Sequence, residues 1–206
     1  QYSSPVQLPG TTWSKLPLGS DYSGHTSHMG AIKTDGTLWT WGSNYQGSLG
    51  QNQQHDIKTS SPAQVGSDTT WARVGVNFGG CTAVKTDGTL WSWGYGGWVG
   101  WLGAINERTN RSSPIQVPGF SGASTEDGKV SVGNRNWMVV KTNGELWSCG
   151  NNNEGMMGVN KAPAQLIASS SAVQIPGTNW NTVLTRASYW SMAGKTDGTL
   201  WGWGGG

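Results

Sequence analysis

The sequence predicts an all-β chain, a β-propeller assembled from about four repeats of 52–56 residues, and three observations carry that expectation. Lys33-Thr34-Asp35-Gly36-Thr37-Leu38-Trp39-Thr40-Trp41-Gly42 recurs at 85–94, 141–150 and 195–204, so the leading lysines stand 52, 56 and 54 positions apart. A second phrase, Ser4-Pro5-Val6-Gln7-Leu8-Pro9-Gly10, returns in step at 61–66, 113–119 and 171–177. Composition supplies the third observation, with 33 glycines and 14 tryptophans among 206 residues. Glycine costs about 1 kcal/mol per helical position relative to alanine, which disfavours a helical bundle. The aromatic content equally excludes a disordered chain.

Each element of the repeat has a physical reason. Ala31-Ile32-Lys33 and residues 37–41 flank Thr34-Asp35-Gly36, a hairpin turn in which glycine takes positive φ without steric cost. Asp35-Gly36, Asp87-Gly88, Asn143-Gly144 and Asp197-Gly198 occupy the same turn, and Asn143 tolerates it as aspartate does. Beyond the turn, alternation sends Leu38 and Thr40 to one face and Trp39 and Trp41 to the other. Apolar groups on both faces require both faces to be covered, as in sheets stacked around an axis. Trp39, Trp41, Trp91, Trp93, Trp147, Trp201 and Trp203 recur at fixed phase and are expected to fill the spaces between blades. Trp13, Trp71 and Trp180 read as further framework. Period-two spacing at Val74 and Val76, and at Val130 and Val132, marks an earlier strand. The Ser-Pro-Val-Gln runs suit the start of an edge strand. No helix is expected.

The units are read as 1–50, 51–103, 104–158 and 159–206, one propeller region whose last unit stops before its glycine loop. That loop obeys Asn-x-x-Gly-x-(Leu/Met)-Gly at 44–50 and 152–158, whereas the second copy departs at 97–103. The Leu or Met is expected to anchor it to the core.

These residues resemble the repeats of the regulator of chromosome condensation family. That family's signature is an x-x-Asp-Gly-x-(Val/Leu)-(Tyr/Trp)-x-Trp-Gly hairpin followed by Asn-x-x-Gly-Gln-Leu-Gly. The likeness covers nearly the whole chain, and the Lys-Thr-Asp-Gly-Thr-Leu-Trp wording is similar to the bacterial and viral branch. The resemblance implies a propeller, usually of seven blades, and proteins of that branch that act at surfaces or in virions. No exchange-factor residues match. The chain begins at Gln1, without methionine, and reads as a processed product or an excerpt. Either the four units are an arc of a longer ring, which family precedent favours, or the N-terminal strand completes the last blade and closes a four-bladed ring.

Thirteen basic and eleven acidic residues give a formal charge of +2 with no basic cluster, which argues against a nucleic-acid partner. No apolar run reaches the roughly 18 residues of a membrane-crossing helix. Cys81 and Cys149 read as free thiols, Cys149 as a buried small residue where other copies carry tryptophan. Asp21, His25 and His28 form a weak candidate metal set inside an insertion peculiar to the first copy, and His55 reads as a solvent-facing loop residue. The turn aspartates are explained by the turn. No nucleophile elbow or phosphate-binding loop occurs, so no catalytic residue and no cofactor are expected.

Candidate binding residues are Tyr95, Trp98 and Trp101 in the aberrant second loop, joined by Tyr45, Gln46 and Glu154 in the loops of the first and third copies. The reading is a non-catalytic structural or adhesive module on an extracellular or virion surface, meeting protein partners or neighbouring subunits. The alternative is a carbohydrate-binding propeller using the Tyr95–Trp101 loop. Regulation of a partner enzyme or GTPase is the third.

Overall fold

The computed structural model describes residues 4–17, 27–53, 57–77, 79–97, 103, 109–133, 136–162, 164–186 and 190–205. They form four consecutive antiparallel sheets. The first holds β1 (Trp13–Lys15), β2 (His28–Lys33), β3 (Leu38–Ser43) and β4 (Lys58–Gln64). The second holds β5 (Trp71–Val76), β6 (Gly80–Lys85), β7 (Leu90–Gly94) and β8 (Arg111–Gln116). The third holds β9 (Val130–Val132), β10 (Asn136–Val140), β11 (Leu146–Asn151) and β12 (Ala168–Ile175). The fourth has three strands, β13 (Trp180–Arg186), β14 (Trp190–Lys195) and β15 (Leu200–Gly204). Strand order follows chain order in every sheet, the up-and-down arrangement of a propeller blade.

The Lys-Thr-Asp-Gly-Thr hairpin joins the second and third strands of each sheet, with Ala31 opposite Trp39, Ala83 opposite Trp91, Val139 opposite Trp147 and Ala193 opposite Trp201. The turn glycines take φ of +77°, +77°, +79° and +85°, as the sequence requires. In the first three sheets the Ser-Pro or Ser-Ala phrase provides the fourth strand, so each sheet collects its outer edge from beyond the glycine loop.

The core lies between the sheets. Ile32, Leu38, Val65, Trp71, Val74 and Trp93 fill the first seam; Val84, Leu90, Phe120, Val130, Trp137 and Cys149 fill the second. Met138, Val140, Leu146, Met157, Ile175 and Trp180 fill the third. Burying such a side chain contributes about 1.5–3 kcal/mol, so each seam is the principal source of adhesion between blades.

Two expectations are corrected. Residues 4–10 are exposed and outside any strand, because no ladder within the described residues receives them. His28 is not a loop residue: it opens β2, is 1% exposed, and places Nε2 3.2 Å from the Gly80 carbonyl oxygen and 3.3 Å from Cys81 Sγ. Its register, five positions before the hairpin lysine, matches Gly80, Asn136 and Trp190.

Candidate interaction face

Each hairpin carries its own polar clamp. The Thr37 backbone N–H and hydroxyl donate to Asp35 Oδ1 at 3.0 and 2.6 Å, and the Trp39 indole N–H donates to the Thr37 hydroxyl at 2.8 Å. The Asp87–Thr89–Trp91 and Asp197–Thr199–Trp201 sets repeat it. In the third copy Asn143 accepts from the Glu145 backbone and Trp147 donates to Glu145 Oε2 at 3.0 Å. The threonine hydrogen bonds hold the carboxyls of Asp35, Asp87 and Asp197 below the usual carboxylate range. Each aspartate is thus engaged in its own blade, which is geometry for a turn and not for a pair of acids sharing a substrate.

The repeat lysine completes the clamp. Lys33 Nζ lies 3.8 Å from the Trp39 ring centroid and 5.0 Å from that of Trp13. Lys85 repeats this over Trp91 and Trp71, and Lys195 over Trp201 and Trp180. In the third copy Lys141 sits over Trp147 and Phe120. Phe120 therefore occupies the framework position of Trp13, Trp71 and Trp180, making edge contacts with Trp137 and Trp147. Sequence reasoning missed it because it enters from the turn ahead of the sheet, out of phase with the other three.

The glycine loops are pinned at three points. Asn44 accepts from the Leu49 N–H at 3.0 Å and donates to the Gln53 carbonyl; Asn152 accepts from the Met157 N–H and donates to the Lys161 and Leu166 carbonyls. Leu49 and Met157 are buried, as the loop rule predicts. The closing glycine lies flat on the next blade: a Cβ on Gly50 would stand 2.6 Å from Trp93 Nε1, and one on Gly158 2.6 Å from Trp203 Nε1. Those indoles donate back to the loop, Trp93 to the Ser48 carbonyl and Trp203 to the Met156 carbonyl. The loops are thereby rigid platforms, not free tethers.

At the outer rim of the first seam the platforms bring candidate residues together. Tyr45 and Tyr95, both partly exposed, pack with ring centroids 6.0 Å apart and planes tilted by 52°. Gln46, at φ +56°, accepts from the Asn110 amide, whose own oxygen accepts from the Gly96 N–H at 3.1 Å. Glu154 occupies the equivalent of Gln46 two blades away, beside Gly205 of the fourth sheet, so it is not part of this cluster. Trp98 and Trp101 lie outside the described residues, as do Asp21, His25 and His55.

Among the described residues no group of three or more His, Cys, Asp or Glu could hold a metal ion. No helix there is long and apolar enough to cross a membrane. Burial pushes the Cys81 and Cys149 thiols well up, and neither forms a disulfide.

Residues 35–80 match the family model for the regulator of chromosome condensation (RCC1) repeat. The ultraviolet-B receptor UVR8 of Arabidopsis thaliana is 29% identical over 185 residues, covering 86% of this chain and 39% of the receptor. The human E3 ubiquitin-protein ligase HERC2 is 27% identical over 150 residues, covering 70% of this chain and 3% of the ligase. The structure of yeast RCC1 (Prp20) bound to Kap60 superposes with a TM-score of 0.78 at 19% identity, over 98% of this chain and 46% of that one. The chain thus spans less than half the length of these relatives. Sheet order, clamp and loop agree with the matched repeat, and the chain is similar in repeat and in fold to the RCC1-like β-propeller proteins.

Proposed function

We propose that the chain is a non-catalytic protein-interaction module in which stacked sheets hold the glycine loops in fixed register for a partner protein or neighbouring subunit. The observation that carries this is the tilted Tyr45–Tyr95 pair with its Gln46–Asn110 bond, a polar-rimmed aromatic pair spanning two blades. Tyrosines on a rigid support contribute large contact area at low entropy cost, and they concentrate at protein interfaces. The relatives' names, a receptor and a ubiquitin ligase, support the same class of role. An extracellular or virion-surface setting belongs to this reading; its support is the polar, nearly neutral composition. The glycan-binding alternative rests on Trp98 and Trp101, outside the described residues.

The test compares the immobilised chain with a Tyr45→Ala/Tyr95→Ala variant in capture from an extract of the producing cells. At least one protein should be retained by the parent and depleted about tenfold or more on the variant, with matching unfolding midpoints. Identical retention on both would remove the basis of the proposal. A glycan array run beside it decides the alternative: binding there that survives in the tyrosine variant points to a carbohydrate site elsewhere.

A further inference from the structure

One hairpin turn differs from its three siblings in a way that carries chemistry. Asp35-Gly36, Asp87-Gly88 and Asp197-Gly198 are each followed by a threonine whose hydroxyl donates to the aspartate at 2.6–2.7 Å. The third turn has exchanged both partners: Asn143 stands in place of the acid and Glu145 in place of the threonine. The two exchanges are coupled by charge. An aspartate beside Glu145 would put two carboxylates in one turn, sharing the Lys141 ammonium that lies 3.9 Å from Glu145 Oε2. The Trp147 indole and then the Asn143 amide hold the Glu145 carboxyl below the usual carboxylate range, so the amide helps to keep that charge in place.

The same exchange creates the one Asn-Gly step among the 206 residues; every other asparagine precedes a residue with a side chain. Glycine leaves its own nitrogen unshielded, and a five-membered ring closes readily once that nitrogen reaches the asparagine Cγ. Asn143 is exposed and borders a polar cleft of about 320 Å³ with Thr142, Asn179 and Thr196, so water has access. The Glu145 N–H donates to Asn143 Oδ1 at 3.1 Å, on the oxygen that gains negative charge as the nitrogen attacks. That bond also folds the carboxamide back along the main chain, towards the Gly144 peptide link. A single contact opposes the reaction. The Gly144 N–H donates to the Lys141 carbonyl at 3.0 Å and must leave it before the nitrogen can attack. Opening of the turn therefore sets the pace.

We propose that Asn143 is a self-modification site, at which the chain loses ammonia and loosens its own third seam. The Gly144 nitrogen bonds to Asn143 Cγ, the Cγ–Nδ2 bond breaks, and ammonia leaves with the proton that Gly144 gives up. Water then opens the cyclic imide at either carbonyl, giving aspartate or isoaspartate. Water is the one co-reactant. Both products carry a carboxylate close to Glu145, and isoaspartate also adds a methylene to the main chain. The change falls on a junction between blades. The Gly144 carbonyl accepts from the Trp180 N–H at 3.0 Å, and a Cβ on Gly144 would stand 3.1 Å from the Asn179 nitrogen. An altered turn thus weakens the hold of the third blade on the fourth, far from the Tyr45–Tyr95 pair at the first seam.

The experiment ages the 206-residue chain in warm, mildly alkaline buffer, with a second sample in urea as the reference for an unrestrained turn. Peptide mapping by mass spectrometry should find the Asn143 amide lost ahead of every other asparagine. The unfolding midpoint of the native sample should shift down as that loss proceeds. Asn143→Gln, whose longer side chain would have to close a larger ring, should keep both its amide and its midpoint. Asn143→Asp should lower the midpoint at once, and adding Glu145→Thr, which restores the pairing of the other turns, should recover it. Asn143 intact in the native chain when the urea sample has converted would overturn the proposal, as would another asparagine reacting first. So would an Asn143→Gln chain whose midpoint falls equally fast, or an Asn143→Asp chain as stable as the parent.

Discussion

Trp137 stands directly opposite Cys149 across the β10–β11 ladder, the reverse of Cys81 opposite Trp93 between β6 and β7. The same two side chains meet in the first and second seams, entering from opposite strands. Gly50 faces Trp93 in the first seam, and Gly103 faces Trp137 and Cys149 together in the second. Between the second and third blades, packing therefore conserves volume at the cross-strand pair, not the identity of either position.

A compensating exchange follows from that relationship. Trp137→Cys alone should cost about 3–5 kcal/mol, as large-to-small changes in packed cores do. Adding Cys149→Trp should recover most of the loss. Urea unfolding of the two variants and the parent measures it, and failure of the second change to restore the midpoint would refute volume conservation.

The loop glycines separate conformational from contact cost. Gly50 and Gly66 both hold positive φ, +70° and +61°, but only Gly50 is pressed against a neighbour. Gly66→Ala should cost about 1 kcal/mol from backbone strain alone. Gly50→Ala should exceed it by roughly 2 kcal/mol or more, because the Trp93 ring must move. Thermal unfolding compares the pair, and equal losses would mean that the seam yields freely.

Acid should weaken the fold between two identifiable limits. The Lys85 ammonium, 2.5 Å from Asp68, and then Thr70 hold the Asp68 carboxyl at about 2, below its ordinary 3.8. A depressed carboxylate stabilises the native state fully above its unfolded value, and that contribution disappears as pH falls from about 4 to about 2. With the Asp68 side chain 35% exposed, screening limits its share to about 1 kcal/mol. The three turn aspartates act with the same sign. Asp68→Asn should be less stable at pH 7 and should flatten the acid limb of stability against pH.

Thiol chemistry provides a simple check on the seams. Both cysteines are 0–1% exposed, and burial disfavours the thiolate that reacts. The native chain should leave a disulfide reagent unconsumed over minutes, and the denatured chain should titrate both thiols. Rapid native reaction of either would show a seam that opens.

Much of this architecture was legible in the sequence because the hairpin needs particular residues. Positive φ, an oxygen that bonds the second residue onward, and an indole above the lysine write themselves as Lys-Thr-Asp-Gly-Thr-Leu-Trp. Contacts between blades leave no such trace. Gly50 is shaped by Trp93, and Phe120 substitutes for a tryptophan from outside its phase, so neither follows from counting along one repeat. His28 was hidden by the insertion before β2, although counting back from Lys33 places it on the strand. The site was legible in part. The loop rule located Tyr45 and Gln46, but their meeting with Tyr95 and Asn110 is a property of the seam.

The grip of each glycine loop on the indole of the following blade gives the chain a direction. The apolar seams join nearest neighbours, with the exposed Lys15–Asp127 ion pair at 3.7 Å reaching from the first blade to the third, so cooperativity accumulates largely link by link, as spins align in a one-dimensional lattice. A lesion at one seam then divides the molecule into two melting units without softening either. Blade number becomes a matter of summed junction angles, and duplication of a 52–56-residue repeat can lengthen the arc with no new chemistry.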